Sequence, residues 1–142
     1  MFEFKIASAE IKEDLIKLYQ ECFHEDLIYI NLFFEKQFKP ENCFVAVHNG
    51  KVVCAIHLLE ALIIENDKQE DVYYIYAAGT SSSFRGQGLM SKLLKHVKEL
   101  ARRRSREYLF LLPANDYLYS YYAKQGYIDF FYSKLIKFTR NE

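Results

Sequence analysis

Two apolar runs, residues 43–47 and 52–64, meet at Asn49-Gly50. An Asn-Gly pair supplies the two left-handed backbone positions that a two-residue hairpin needs, so the runs read as antiparallel strands. That commits the middle of the chain to sheet, and every other segment has to be fitted around it.

Upstream, residues 2–7 alternate apolar and polar as a first strand. Ser8 is placed to cap a helix whose apolar face is Ile11, Leu15, Leu18, Tyr19, Cys22 and Phe23. A second helix over about 27–38 stops before Pro40. Downstream, polar residues 65–71 read as a turn, 72–78 as a fourth strand and 79–84 as a small-residue loop. Leu89, Leu93, Leu94, Val97, Leu100 and Ala101 then fall on one helical face, closed by Arg102, Arg103 and Arg104. Residues 107–112 form a buried-type strand ended by Pro113, and a short helix over 116–124 stops at Gly126. Strands over about 127–131 and 133–138 finish the chain. The order β-α-α-β-β-β-α-β-α-β-β implies an α/β fold of the mixed α+β kind. Its sheet is mixed and mostly antiparallel, helices flank both faces, and 1–142 form a single domain.

The 19 basic and 19 acidic residues cancel, which speaks against a nucleic-acid partner. No apolar run approaches the ~18 residues needed to span a bilayer. Met1-Phe2-Glu3-Phe4-Lys5 lacks the order of a signal peptide. Cys22, Cys43 and Cys54 are odd in number and lack C-x-x-C spacing, so they read as buried free thiols and not as a metal site. These features place the chain in the cytoplasm. The 12 Tyr and 12 Phe exceed what the core of such a domain needs, which leaves rings to line a groove.

Arg85-Gly86-Gln87-Gly88-Leu89-Met90-Ser91 sits between a strand and an amphipathic helix. The first N–H groups of a helix have no internal partner, and glycines let backbone come close to an anion. Arg85 adds a charged donor at the loop mouth. The sequence lacks the G-x-x-x-x-G-K-[ST] phosphate loop. It matches G-x-G-x-x-G only in part, with Ser91 at the third position and polar residues 80–83 before the first glycine. A tight structural turn and a phosphate cradle both remain open on these residues alone.

The chain resembles the GNAT superfamily of N-acetyltransferases. The family signature [RQ]-x-x-G-x-[GA] reads here Arg85-x-x-Gly88-x-Met90, with Met90 where Gly or Ala is usual. A second family feature is an Asn followed seven residues later by the Tyr of Tyr-x-Lys-x-Gly-aromatic. Here it is Asn115 and Tyr122-Ala123-Lys124-Gln125-Gly126-Tyr127. Leu112-Pro113-Ala114-Asn115 with Leu118-Tyr119 is similar to the single catalytic unit of Eis-like acetyltransferases.

The resemblance implies a GNAT-like sheet in which strands 4 and 5 splay apart, with acetyl-CoA as the acetyl donor and no metal. It places Ala78, Gly79 and Thr80 beside the pantetheine arm and Arg85, Gly86, Gln87, Gly88, Leu89, Met90 and Ser91 around the pyrophosphate. Asn115 is set to bond the arm or to cap the helix after it. Arg102, Arg103, Arg104 and Arg106 are in place to reach the 3′-phosphate of coenzyme A, although basic residues at a helix C-terminus more often simply oppose its dipole. Tyr122 becomes the general acid that protonates the departing thiolate, with Tyr119 one turn earlier as the fallback. The implied acceptor is a small-molecule primary amine, attacking directly in a ternary complex. Phe23, His24, Tyr29, Phe33 and Phe34 are implied to build its pocket. A peptide amine, a non-catalytic acyl-CoA-binding role and a homodimer stay open. His57, Glu60, Tyr74 and Tyr76 lie on strands near that pocket, and none is assigned as the base.

Overall fold

The computed structural model describes residues 1–129. The chain forms two compact units, Met1–Leu111 and Leu112–Glu142. The first carries β1 (Phe2–Ile6), α1 (Lys12–Phe23), α2 (Leu27–Lys36), β2 (Cys43–His48), β3 (Lys51–Glu65), β4 (Lys68–Thr80), α3 (Leu89–Arg103) and β5 (Leu109–Phe110). The second carries α4 (Asp116–Lys124).

The sheet order is β1-β2-β3-β4-β5, antiparallel throughout except for the parallel β4–β5 pair. Asn49 and Gly50 both take positive φ, as a hairpin turn that follows the strand twist demands. Side chains alternate across the sheet. Cys43, Val45 and Ala55 pack on one face with Leu15, Leu18 and Tyr19 of α1 and Ile30, Phe33 and Phe34 of α2. Phe44, of opposite parity, stacks on His96 of α3 with ring centroids 5.0 Å apart. With helices on both faces, Val52 through Leu58 are buried without a break. The sheet and the flanking helices therefore match the expected fold.

Several boundaries differ. Ser8 makes no side-chain cap; a short 3-10 turn, Ala9–Ile11, precedes α1 instead. The polar stretch 65–71 is not a long turn. Asn66 and Asp67 alone turn the chain, both with positive φ, and Lys68 already pairs with Glu65. Backbone pairing in this second hairpin overrides the polar character of residues 68–71. β5 is only two residues long, and its ladder to β4 consists of Tyr73–Leu109 and Tyr74–Phe110. Among the described residues β4 continues past that ladder, as splayed strands require. The closing strand expected at 127–131 is not formed over 127–129; the rest of it and the strand expected at 133–138 lie outside the described residues.

β4 also carries one residue more than β3 across a bulge. His57 pairs with Tyr76 and Ala55 with Gly79, so Ile56 faces both Ala77 and Ala78. Ala77 is left-handed, φ 50°, a conformation that costs a residue with a Cβ about 1 kcal/mol.

Candidate active site

The end of β4 and the start of α3 bring the first group of residues together. Ala78, Gly79 and Thr80 close β4, and Ser82–Phe84 make one 3-10 turn. Arg85 to Gly88 then lead into α3. Gly86 and Gly88 both have positive φ, 80° and 77°, and a Cβ on either would meet nothing within 4 Å. Backbone conformation, not crowding, thus selects glycine at both positions. Lys92 N is bonded to Gly88 O at 3.1 Å, so Leu89 and Met90 offer their N–H groups to no carbonyl within the helix. Leu89 is buried against the core, Met90 is half-buried and Gln87 is exposed.

Two contacts brace this segment. Arg85 Nε donates to Thr80 O at 3.0 Å, which folds the arginine back on the strand it follows. Glu21 of α1 accepts from Ser82 N at 2.7 Å and from Ser81 Oγ at 3.2 Å. The amide bond from Ser82, aided by the Ser81 hydroxyl and nearby Arg85, holds the Glu21 carboxyl below its usual range. Gly79 has a use that sequence reasoning missed. Its missing side chain makes room for Cys22 and Phe23 of α1, while the strand irregularity falls at Ala77.

The second group lies where α1 and α2 cover β4. A cavity of about 440 Å³ is lined by Glu25, Tyr29, Leu32, Phe33, Lys36, Gln37 and Tyr76. Asp26 starts α2 by accepting from Ile28 N at 3.1 Å, and Tyr29, Leu32, Phe33 and Lys36 then recur on one helical face. Of the residues expected here, Tyr29 and Phe33 line the cavity. Phe34 turns to the core, Phe23 packs on Tyr19, and His24 is the left-handed C-cap of α1. A hydroxyl chain with no counterpart in the sequence pattern runs beside the cavity: Tyr19 Oη donates to Glu25 Oε2 at 3.2 Å and lies 2.7 Å from Tyr76 Oη. Burial and the Tyr76 contact raise the Tyr19 phenol well above its usual range.

His57 faces the same helices but is enclosed by Phe33, Phe34 and Phe38, with centroids 5.2, 5.6 and 5.9 Å away. Burial lowers its pKa to about 4, so it stands neutral as a core residue. Glu60 is engaged by Lys39 at 3.2 Å and Arg106 at 3.8 Å. Arg104 donates to Asn42 Oδ1, Glu41 O and Tyr73 Oη, and Arg106 also pairs with Asp71. These two arginines tie the end of α3 to the sheet. Cys43 and Cys54 are buried; burial raises both thiols, Cys54 to about 11. No Cys–His hydrogen bond and no metal-holding cluster occurs among the described residues.

In the second unit Asn115 is the N-cap of α4 and accepts from Leu118 N at 3.0 Å. Tyr122 is buried on α4, with its ring edge-on to Tyr121 and Tyr127 at 5.3 and 5.8 Å. Its carbonyl accepts from Gln125 and Tyr127 as the helix ends at left-handed Gly126. Tyr119 is exposed.

The sequence model of the Acetyltransferase (GNAT) family matches residues 9–127, and the chain belongs to that family. Solved structures share the fold. A GCN5-related N-acetyltransferase from Anabaena variabilis has 21% identity and a TM-score of 0.74 over 85% of this chain and 31% of its own. This chain thus spans about a third of that protein. An aminoglycoside acetyltransferase from an uncultured soil metagenomic sample has 17% identity, TM-score 0.70, covering 98% of this chain and 99% of its own. Glucosamine-6-phosphate N-acetyltransferase from Arabidopsis thaliana has 15% identity, TM-score 0.69, with 99% and 98% covered. None of the curated proteins compared with the chain matches it. No helix among the described residues is long and apolar enough to cross a membrane.

Proposed function

We propose that the chain is an acyltransferase that moves an acetyl group from acetyl-CoA to a primary amine on a small molecule, by direct attack in a ternary complex within one cytoplasmic domain, 1–142. The observation that carries the donor half is the left-handed pair Gly86 and Gly88 opening α3, one 3-10 turn after the β4 end. Such a loop turns successive N–H groups toward one point, where the positive end of the helix favours a pyrophosphate. Arg85, Gln87, Leu89, Met90 and Ser91 complete that cradle, and the β4 backbone at Ala78, Gly79 and Thr80 is available to pair with an extended pantetheine arm. Asn115 spends its carbonyl on the helix cap, which leaves its amide nitrogen to donate to the arm.

The acceptor half rests on the cavity beside Tyr76. Its walls are aromatic, and it carries one carboxylate, Glu25, and one ammonium, Lys36. An amphipathic amine suits such a lining better than a polycation. The nucleophile needs an unprotonated nitrogen, and the departing thiolate needs a proton; Tyr122 is the group we assign to supply it. With no Cys–His pair among the described residues, a direct transfer is favoured over a cysteine acyl-enzyme.

The test is acetyl-CoA-dependent thiol release across a panel of amines, for wild type and Tyr122→Phe. Turnover on at least one amine, with the variant slowed about a hundredfold or more, is the expected result. Tight acetyl-CoA binding without turnover on any amine would make the chain a binding module. Turnover on peptide N-termini alone would move it to protein acetylation, and an undiminished variant would remove Tyr122 as the acid.

A further inference from the structure

The contacts around Tyr76 fix the direction of its hydrogen bonds. A phenol has one proton to give. Tyr19 gives its proton to the Glu25 carboxylate, so at the 2.7 Å contact Tyr19 is the acceptor and Tyr76 the donor. Tyr76 Oη, with its proton directed away to Tyr19, presents only lone pairs to whatever enters the cavity it lines. Glu25, at the far end of the chain of bonds, is exposed to water. Tyr76 immediately precedes the bulge at Ala77 and lies on the strand that leads to the glycine loop.

We propose that Tyr76, Tyr19 and Glu25 form a relay that takes the surplus proton from the acceptor's ammonium group to solvent. Tyr76 Oη receives a proton from the amine as it passes its own to Tyr19, and Tyr19 passes its own to the Glu25 carboxylate, which releases it to water. One proton enters, one leaves, and both phenols end neutral. The nitrogen lone pair so freed forms the new C–N bond; as the C–S bond breaks, the nitrogen sheds its second proton to water, and the thiolate takes its proton from Tyr122, which water reprotonates. This rests on the amine-acceptor reading above and supplies the base that it lacks.

The surroundings suit a relay better than a standing tyrosinate. Burial lifts Tyr19 and Tyr74 above their usual range, so neither is ionised near neutral pH. His57 pairs across the strands with Tyr76 but is neutral within its phenylalanine box. Lys36 is the cation on the cavity wall, from α2.

The experiment compares two acceptors of like shape, a primary alkylamine and a hydrazide that is already neutral at pH 7. Tyr76→Phe, Tyr19→Phe and Glu25→Gln are each assayed on both. Loss of the relay predicts kcat/KM down about ten- to a hundredfold on the alkylamine, recovering as pH is raised, with the hydrazide within about threefold of wild type. Equal losses on both acceptors would overturn the relay and leave these residues as pocket walls. A wild type that binds acetyl-CoA but acetylates neither acceptor would overturn the amine reading along with it. Glu25→Gln changes an exposed side chain and carries the test if a tyrosine variant fails to fold.

Discussion

Cys22 occupies the space that a side chain at Gly79 would need. A Cβ there would lie 2.9 Å from Cys22 Sγ and 3.1 Å from Cys22 Cβ. Gly79→Ala should therefore destabilise the protein by about 1–3 kcal/mol through overpacking, read as a lower urea midpoint. Cys22→Ala in the same chain should recover part of the loss, because it removes the nearer atom. Additive effects of the two substitutions would show that the contact is not the cause.

At Gly86 the position is reversed, since there is room but the backbone is left-handed. Gly86→Ala should cost about 1 kcal/mol and weaken acetyl-CoA binding by calorimetry, while Gly86→Asn, which tolerates that conformation, should lose less. Equal affinity in all three proteins would remove the loop from the donor site.

Glu21 ties α1 to the turn that precedes the loop. Glu21→Ala leaves the Ser82 amide without its acceptor, and loss of one such bond is worth about 1 kcal/mol. The expected consequence is a KM for acetyl-CoA raised about fivefold, with kcat little changed. A fall in kcat at constant KM would contradict a purely supporting role.

His57 makes stability depend on pH. Its folded pKa, about 4, lies below the ~6.5 of an unfolded histidine, so between these values the unfolded chain binds the extra proton. Stability is then full above pH ~6.5 and falls as pH drops toward 4, by on the order of 3 kcal/mol. In urea titrations His57→Leu should flatten this part of the profile relative to wild type. Parallel profiles for the two proteins would assign the slope to other groups.

Much of this architecture was readable because its signals are local. Asn49-Gly50, the α3 face from Leu89 to Ala101 and the Asn115 cap each lie within a few residues of what they determine. The glycine loop could be located for the same reason. Residues 68–71 misread as a turn because their strand conformation comes from pairing with β3, which side-chain polarity does not report. Nothing local to Gly79 reports that Cys22, on a helix 57 positions earlier in the chain, fills the space a side chain there would need. The bond between Tyr19 and Tyr76 spans the same separation, and no periodicity joins them. Twelve tyrosines offered no means of choosing these two. A left-handed alanine at 77 has no sequence signal at all.

The bulge at Ala77 acts on β4 as a frameshift acts on a message. Before it, even-numbered residues look toward α1 and α2, which is how Tyr76 reaches Tyr19. After it the phase is reversed: Gly79 meets Cys22, and Thr80 Oγ1 turns to Cys54 at 3.3 Å on the opposite side. One inserted residue thus lets a single strand line the cavity beside Tyr76 with its first half and seat a helix with its second. Removing Ala77 would restore a regular ladder and leave one of the two halves facing the wrong way.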